Sequence, residues 1–113
     1  MKELPQPSQC PVARSLKRIG ERWSILILRD AMNGLKRFDE FQESLGISTN
    51  ILSTRLSKLV DEGLLARRRY ADKPARYDYV LTERGNDFRP VLWALIGWGN
   101  KHFAPEGPSL VLV

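Results

Sequence analysis

Apolar residues recur at helical spacing through most of the chain, and the pattern breaks wherever glycine or proline intervenes. Residues 1–9 hold Pro5 and Pro7 and little apolar material, and read as an N-terminal arm. Cys10-Pro11 then opens a helix, since proline is favoured at the first helical position, where its missing N–H costs nothing. Val12, Leu16 and Ile19 give that helix an apolar stripe, and Gly20 ends it. A second helix from about Glu21 carries Trp23, Ile25, Leu26, Ile27 and Leu28, apolar nearly all round, and should lie at the buried centre. Asn33-Gly34 stops it. Lys36-Arg37-Phe38 fits a short edge strand, and Asp39 to Leu45 a third helix with Phe38, Phe41 and Leu45 facing in.

Gly46-Ile47-Ser48 is a tight turn in which Ser48 is a good N-cap for the next helix. From Thr49 to Glu62 the apolar residues Leu52, Leu56, Leu59 and Val60 share one face, and Gly63 closes the helix. The period then changes. Leu64 to Ala71 and Arg76 to Leu81 are rich in Arg, Tyr and Leu and flank a turn-forming Asp72-Lys73-Pro74-Ala75, which predicts a β-hairpin with a basic tip. Thr82 caps a final long helix through about Phe103. Its apolar residues cover more than half its circumference, a wider stripe than one core contact needs. A symmetric subunit contact would use the surplus, so Val91, Trp93, Leu95 and Trp98 are the expected dimerisation residues, with the first helix assisting. The domain is expected over residues 10–104, followed by a tail over 105–113 whose Leu110-Val113 end finds no place in this scheme.

Composition narrows the function classes. A single cysteine excludes an internal disulfide and a thiolate-rich zinc site, and a single histidine leaves little for acid–base or metal chemistry. No phosphate-cradling glycine loop, nucleophile elbow or metal-ligand spacing occurs, so no catalytic residues, metal or cofactor are expected. No apolar run approaches the roughly 20 residues of a membrane span, and the N-terminus lacks a signal-peptide core, which points to the cytoplasm. The net charge is +5, and residues 55–76 hold seven cations against three carboxylates. A basic cluster of this kind suits an anionic partner, although by itself it is equally a solvated surface.

Order supplies what charge alone does not. Helix, glycine-containing turn, helix and basic hairpin is the succession of a winged helix-turn-helix: mainly α, a three-helix core, a wing, and extra terminal helices for dimerisation. With Leu52, Leu56 and Leu59 buried, stepping of ~100° per residue turns Asn50, Thr54, Ser57, Lys58 and Asp61 outward, with Ser53 and Arg55 at the flanks. Asn50, Ser53 and Thr54 sit where such a helix meets base edges, and Ser48 at its N-cap is expected among the DNA-binding residues. Arg55 and Lys58 suit phosphate, or guanine in the case of Arg55. On the hairpin, Arg67 and Arg69 share one face and Arg68 takes the other, while Lys73 and Arg76 lie nearest the tip and are freest for DNA. Tyr70, Tyr77 and Tyr79 suit cross-strand packing better than base stacking. The expected partner is double-stranded DNA; the alternative is a winged-helix module whose basic face meets an acidic protein.

The ordered set Cys10-Pro11, Gly20-Glu21-Arg22-Trp23, Arg37-Phe38-Asp39-Glu40-Phe41, Gly46-Ile47-Ser48, Leu52 with Arg55-Leu56, Gly63-Leu64-Leu65, Pro74 with Arg76, and Tyr79 through Leu81-Thr82-Glu83 to Gly85 resembles the HxlR family of winged-helix regulators. Arg22 stands where that pattern usually has lysine and Phe41 where it has leucine. Lys73 and Ala75 flank Pro74 where more apolar residues are usual. The resemblance implies a homodimer on a near-palindromic operator, often controlled by electrophiles or oxidants through a cysteine near the N-terminus, the position of Cys10. Chemistry supports a reactive Cys10, because a helix N-terminus with Arg14 one turn on favours a thiolate. A small buried apolar residue that happens to be cysteine is the alternative.

Overall fold

Leucine spacing decides where the molecule is filled. The structure, a computed structural model, describes residues 9–109. Its elements are α1 (Pro11–Ile19), α2 (Arg22–Met32), α3 (Phe38–Leu45), α4 (Thr49–Asp61), β1 (Leu65–Asp72), β2 (Ala75–Leu81), α5 (Glu83–Asn86) and α6 (Arg89–His102). Ile27 and Leu28 of α2, Phe41 of α3 and Leu52, Leu56 and Leu59 of α4 are fully buried against one another. Each such side chain contributes roughly 1.5–3 kcal/mol of transfer free energy, so this three-helix cluster is the main source of fold stability. α2 lies at its centre, as its all-round apolar character predicts.

The two strands form one antiparallel hairpin, with Leu65 opposite Leu81, Arg67 opposite Tyr79, Arg68 opposite Asp78 and Arg69 opposite Tyr77. Leu65 is buried at the root, and a register irregularity between Arg69 and Ala71 leaves Tyr70 without a partner across the ladder. The root is fastened on both strands. The Thr82 hydroxyl donates to the Gly63 carbonyl and accepts the Gly85 N–H, while the Thr82 N–H donates to the Leu64 carbonyl at 3.1 Å. Gly85 is required here, because a Cβ would collide with the Leu64 carbonyl oxygen.

Two expectations need correction. Lys36-Arg37-Phe38 is not a strand: a single backbone bond, Tyr79 N–H to the Lys36 carbonyl at 2.7 Å, joins it to the hairpin. Glu40 reaches back to accept the N–H groups of Lys36 and Arg37 at 3.1 and 2.9 Å, which starts α3 at Phe38 instead. The final helix is two helices, because α5 ends at Asn86 and Pro90 opens α6 at its first turn. Along the apolar stripe of α1, Ile19 is buried, whereas Val12 and Leu16 are 66% and 57% exposed. Residues 1–8 of the arm and Leu110-Val113 of the tail lie outside the described residues. Asn100 holds the last described residue through two bonds, donating to the Ser109 carbonyl at 2.9 Å and accepting its N–H at 3.1 Å.

Candidate nucleic-acid interface

The turn between α3 and α4 is set by backbone geometry and closed by side chains. Gly46 takes φ 61°, a left-handed conformation that ends α3 and that most residues avoid. The Ser48 hydroxyl then accepts the Ile51 N–H at 3.3 Å as the N-cap of α4, a contact worth about 1 kcal/mol. Gln42 adds a brace that sequence reading missed, donating from Nε2 to the Thr49 hydroxyl at 2.9 Å. Its position one turn before the helix-ending glycine is the signal that could have marked it.

α4 thus leaves the turn in a fixed direction with Leu52, Leu56 and Leu59 inward. Ser48, Asn50, Ser53, Thr54, Ser57 and Asp61 are exposed, and Lys58 is half-buried. The Thr54 hydroxyl donates to the Asn50 carbonyl at 2.9 Å, which leaves its lone pairs for an incoming donor. Ile51, 42% exposed beside Asn50, was not singled out from the sequence. An apolar residue there can meet a thymine methyl. Arg55 sits differently from its neighbours, turned towards the start of α2 in an ion pair of 3.0 Å with Glu21.

On the hairpin the cations divide into two groups. Arg67 lies over the Tyr77 ring at 4.1 Å, and Arg69 donates to the Tyr77 hydroxyl at 3.2 Å and lies 3.6 Å from Asp72. The Arg69 hydrogen bond pulls the Tyr77 pKa below the ordinary tyrosine value and raises that of Arg69. Arg68 and Arg37 approach the buried carboxylate of Asp78 at 3.6 and 3.7 Å, and Arg37 also covers the Tyr70 ring at 4.5 Å. Tyr70 and Tyr77 therefore serve as resting places for arginines, whereas Tyr79 packs against the core. Lys73 and Arg76 are exposed and make no hydrogen bond or ion pair among the described residues.

The opposite feature lies on α1 and α6. A groove of about 810 Å³ is lined by Val12, Leu16, Ile25, Phe88, Val91 and Leu95, among others. Of the apolar residues of α6 only Leu92 is buried; Trp93 and Trp98 are 48% and 60% exposed, and Val91 and Leu95 are exposed as well. Cys10 is half-buried as the N-cap of α1, its carbonyl accepting the Arg14 N–H at 2.9 Å. No helix among the described residues is long and apolar enough to cross a membrane.

Comparison with known proteins agrees with this architecture. A regulator of Mycobacterium tuberculosis, named an uncharacterized HTH-type transcriptional regulator, is 43% identical over 102 residues, which are 89% of this chain and 65% of the relative. The chain therefore spans just under two thirds of that relative's length. The crystal structure of PA1607, described as a candidate transcription factor, superposes with a TM-score of 0.84 at 45% identity, over 94% of this chain and 75% of its own. HypR, a redox regulator solved in its reduced form, gives a TM-score of 0.76 at 30% identity, over 80% of this chain and 91% of its own. The fold is a winged helix, and the relatives carry the name of transcriptional regulators, not enzymes. The HxlR-like helix-turn-helix profile matches residues 18–107, and the chain belongs to that family.

Proposed function

We propose that the chain is a sequence-specific DNA-binding transcriptional regulator acting as a homodimer in the cytoplasm. The observation that carries this reading is the outward face of α4. Its apolar residues other than Ile51 are packed away, while the side chains of Asn50 and Ser53 stand exposed with no partner among the described residues. A helix of that kind, braced by α3 and followed by a wing with uncommitted cations, fits a major groove. Asn50 and Thr54 read bases, with Ser53 and Ile51 beside them, and Ser48, Lys58, Lys73 and Arg76 hold phosphates. α6 and α1 supply the subunit contact, which sets two recognition helices about 34 Å apart on a near-palindromic site. Selection of duplexes from genomic fragments tests this directly. A selected duplex should bind at least about a thousandfold tighter than random sequence, with a steep salt dependence. Equal affinity for both would leave only a basic protein-binding module.

Cys10 is the proposed effector site. It starts the helix whose apolar stripe stands exposed, so an adduct there alters the surface assigned to the subunit contact. That HypR is a redox regulator supports the assignment. With one cysteine in the chain, oxidation ends in an intersubunit or mixed disulfide or an adduct. DNA binding of wild type and Cys10→Ser should diverge after treatment with a quinone or diamide; identical binding throughout would show that Cys10 only packs.

A further inference from the structure

We propose that Glu21 is a positioning residue for DNA recognition, acting through Arg55; this rests on α4 being the recognition helix. Glu21 is the N-cap of α2, a place where serine, threonine, aspartate or asparagine is usual. A glutamate does that work here with both oxygens, Oε1 accepting the Trp23 N–H at 3.0 Å and Oε2 the Ser24 N–H at 3.2 Å. The longer side chain has a second consequence. Oε2 also lies 3.0 Å from Nε of Arg55, on the second turn of α4.

The state of that arginine gives the pair its meaning. Arg55 Nε is buried and makes no hydrogen bond, so the Glu21 carboxylate is the counter-charge it has. The guanidinium as a whole is not sealed, the two side chains being 30% and 29% exposed. Its Nη nitrogens make no hydrogen bond among the described residues. Arg55 is thus held by its inner edge and presents its outer edge, a use of two edges that lysine cannot copy. An outer edge fixed in this way suits one phosphate oxygen in one register. Phosphate contacts carry no sequence information, yet they decide where the base-reading side chains fall.

A second ion pair reaches α4 from the same part of the chain. Arg18, at the end of α1, lies 3.0 Å from Glu62, the C-cap of α4. The corner between α1 and α2 therefore grips α4 at Arg55 and at Glu62, about 10 Å apart along the helix. Gly20 allows that corner, because a Cβ there would strike the Leu16 carbonyl oxygen. Leu52, Leu56 and Leu59 seat α4 in the core; the two ion pairs add polar contacts on the side facing the α1–α2 corner, where they can trim the aim of Asn50 and Thr54.

Two substitutions separate positioning from capping. Glu21→Asp keeps a good cap but withdraws the carboxylate by one methylene from Arg55; Glu21→Gln keeps the length and an acceptor but removes the charge. Both are measured for Tm, and for affinity to a duplex selected by the wild type from a random library and to an unselected duplex of equal length. The expected result is a Tm near wild type, a loss of about tenfold on the selected duplex and less than about threefold on the unselected one. Arg55→Lys should show the same pattern, and adding Glu21→Asp to it should cost less than about twofold more, because the two act as one unit. Tighter binding of Glu21→Gln to both duplexes, with a salt slope steeper by about one unit, would mean that Glu21 only neutralises Arg55. A lowered Tm with an unchanged ratio of affinities would mean that it only caps α2, and equal loss on both duplexes that Arg55 only adds charge. If the wild type itself selects no duplex, the DNA-binding reading fails; if it selects one and the variants keep its ratio, only the role of Glu21 does.

Discussion

α4 and α6 are nearly equal in length, 13 and 14 residues, and both are rich in large apolar side chains. They end in opposite conditions. α4 buries Leu52, Leu56 and Leu59 completely and turns polar groups outward, whereas α6 buries Leu92 and leaves Val91, Trp93, Leu95 and Trp98 exposed. The apolar side of α4 is covered within the chain, and what it shows outward is polar. The apolar side of α6 is largely uncovered within the chain. The difference teaches where each half of the proposed function resides, and it can be broken at either helix.

The largest effect is expected at α6. Tryptophans at the centre of an interface commonly contribute about 2 kcal/mol or more each. Replacing Trp93 and Trp98 together by glutamate should therefore give a monomer by sedimentation that still unfolds cooperatively and no longer binds a selected duplex. A wild type that already sediments as a monomer at micromolar concentration would remove the basis of the comparison. Next come matched leucines. Leu56→Ala should cost about 2–5 kcal/mol in denaturant unfolding, while Leu95→Ala in the monomeric background should stay within about 0.5 kcal/mol. Similar costs at the two sites would mean that α6 is as well packed as α4. Asn50→Ala should lose about 1–3 kcal/mol on a selected duplex and little on random DNA. Lys73→Ala should weaken both alike and flatten the salt slope by about one unit.

The smallest effect concerns the start of α3. Two backbone N–H groups, from Lys36 and Arg37, hold the Glu40 pKa below its ordinary value of 4.5. A carboxylate with a depressed folded-state pKa stabilises fully above its unfolded pKa and loses that contribution as pH falls through the folded one. Fraying of α3 should accordingly appear below about pH 4.5, and Glu40→Gln should remove that pH dependence. A melting profile of the same shape for both proteins would discard the capping role.

Much of this was legible because local signals agreed with one another. Ser48, the leucine spacing and Gly63 bracket α4 to within a residue of its observed end, and Gly63 takes the positive φ of 77° that such an end requires. The break before α6 was not read, although Pro90 stands in plain view, since the apolar period of Phe88, Val91 and Leu92 runs across it. The Lys36-Arg37-Phe38 strand failed because Glu40 offers those N–H groups a nearer acceptor than a neighbouring strand. At the site, the outward positions of Asn50, Ser53 and Thr54 followed from helix periodicity alone. The pairing of Arg55 with Glu21 did not, because the two are far apart in sequence and meet only once α2 and α4 pack. The sorting of the wing arginines onto Tyr77 and Asp78 likewise depends on cross-strand register, which composition does not encode.

The fastening of the hairpin root at Gly63, Leu64, Thr82 and Gly85 also bears on how this scaffold could be rebuilt. Extra residues placed between Lys73 and Pro74 would lengthen an exposed tip and leave every root bond in place, so the reach of the wing is an adjustable dimension. The same insertion after Gly63 or before Gly85 would pull apart the junction of α4, the hairpin and α5. A hairpin transplanted onto another domain would therefore have to travel as residues 62–85, with Arg84 still donating to the Glu62 carbonyl.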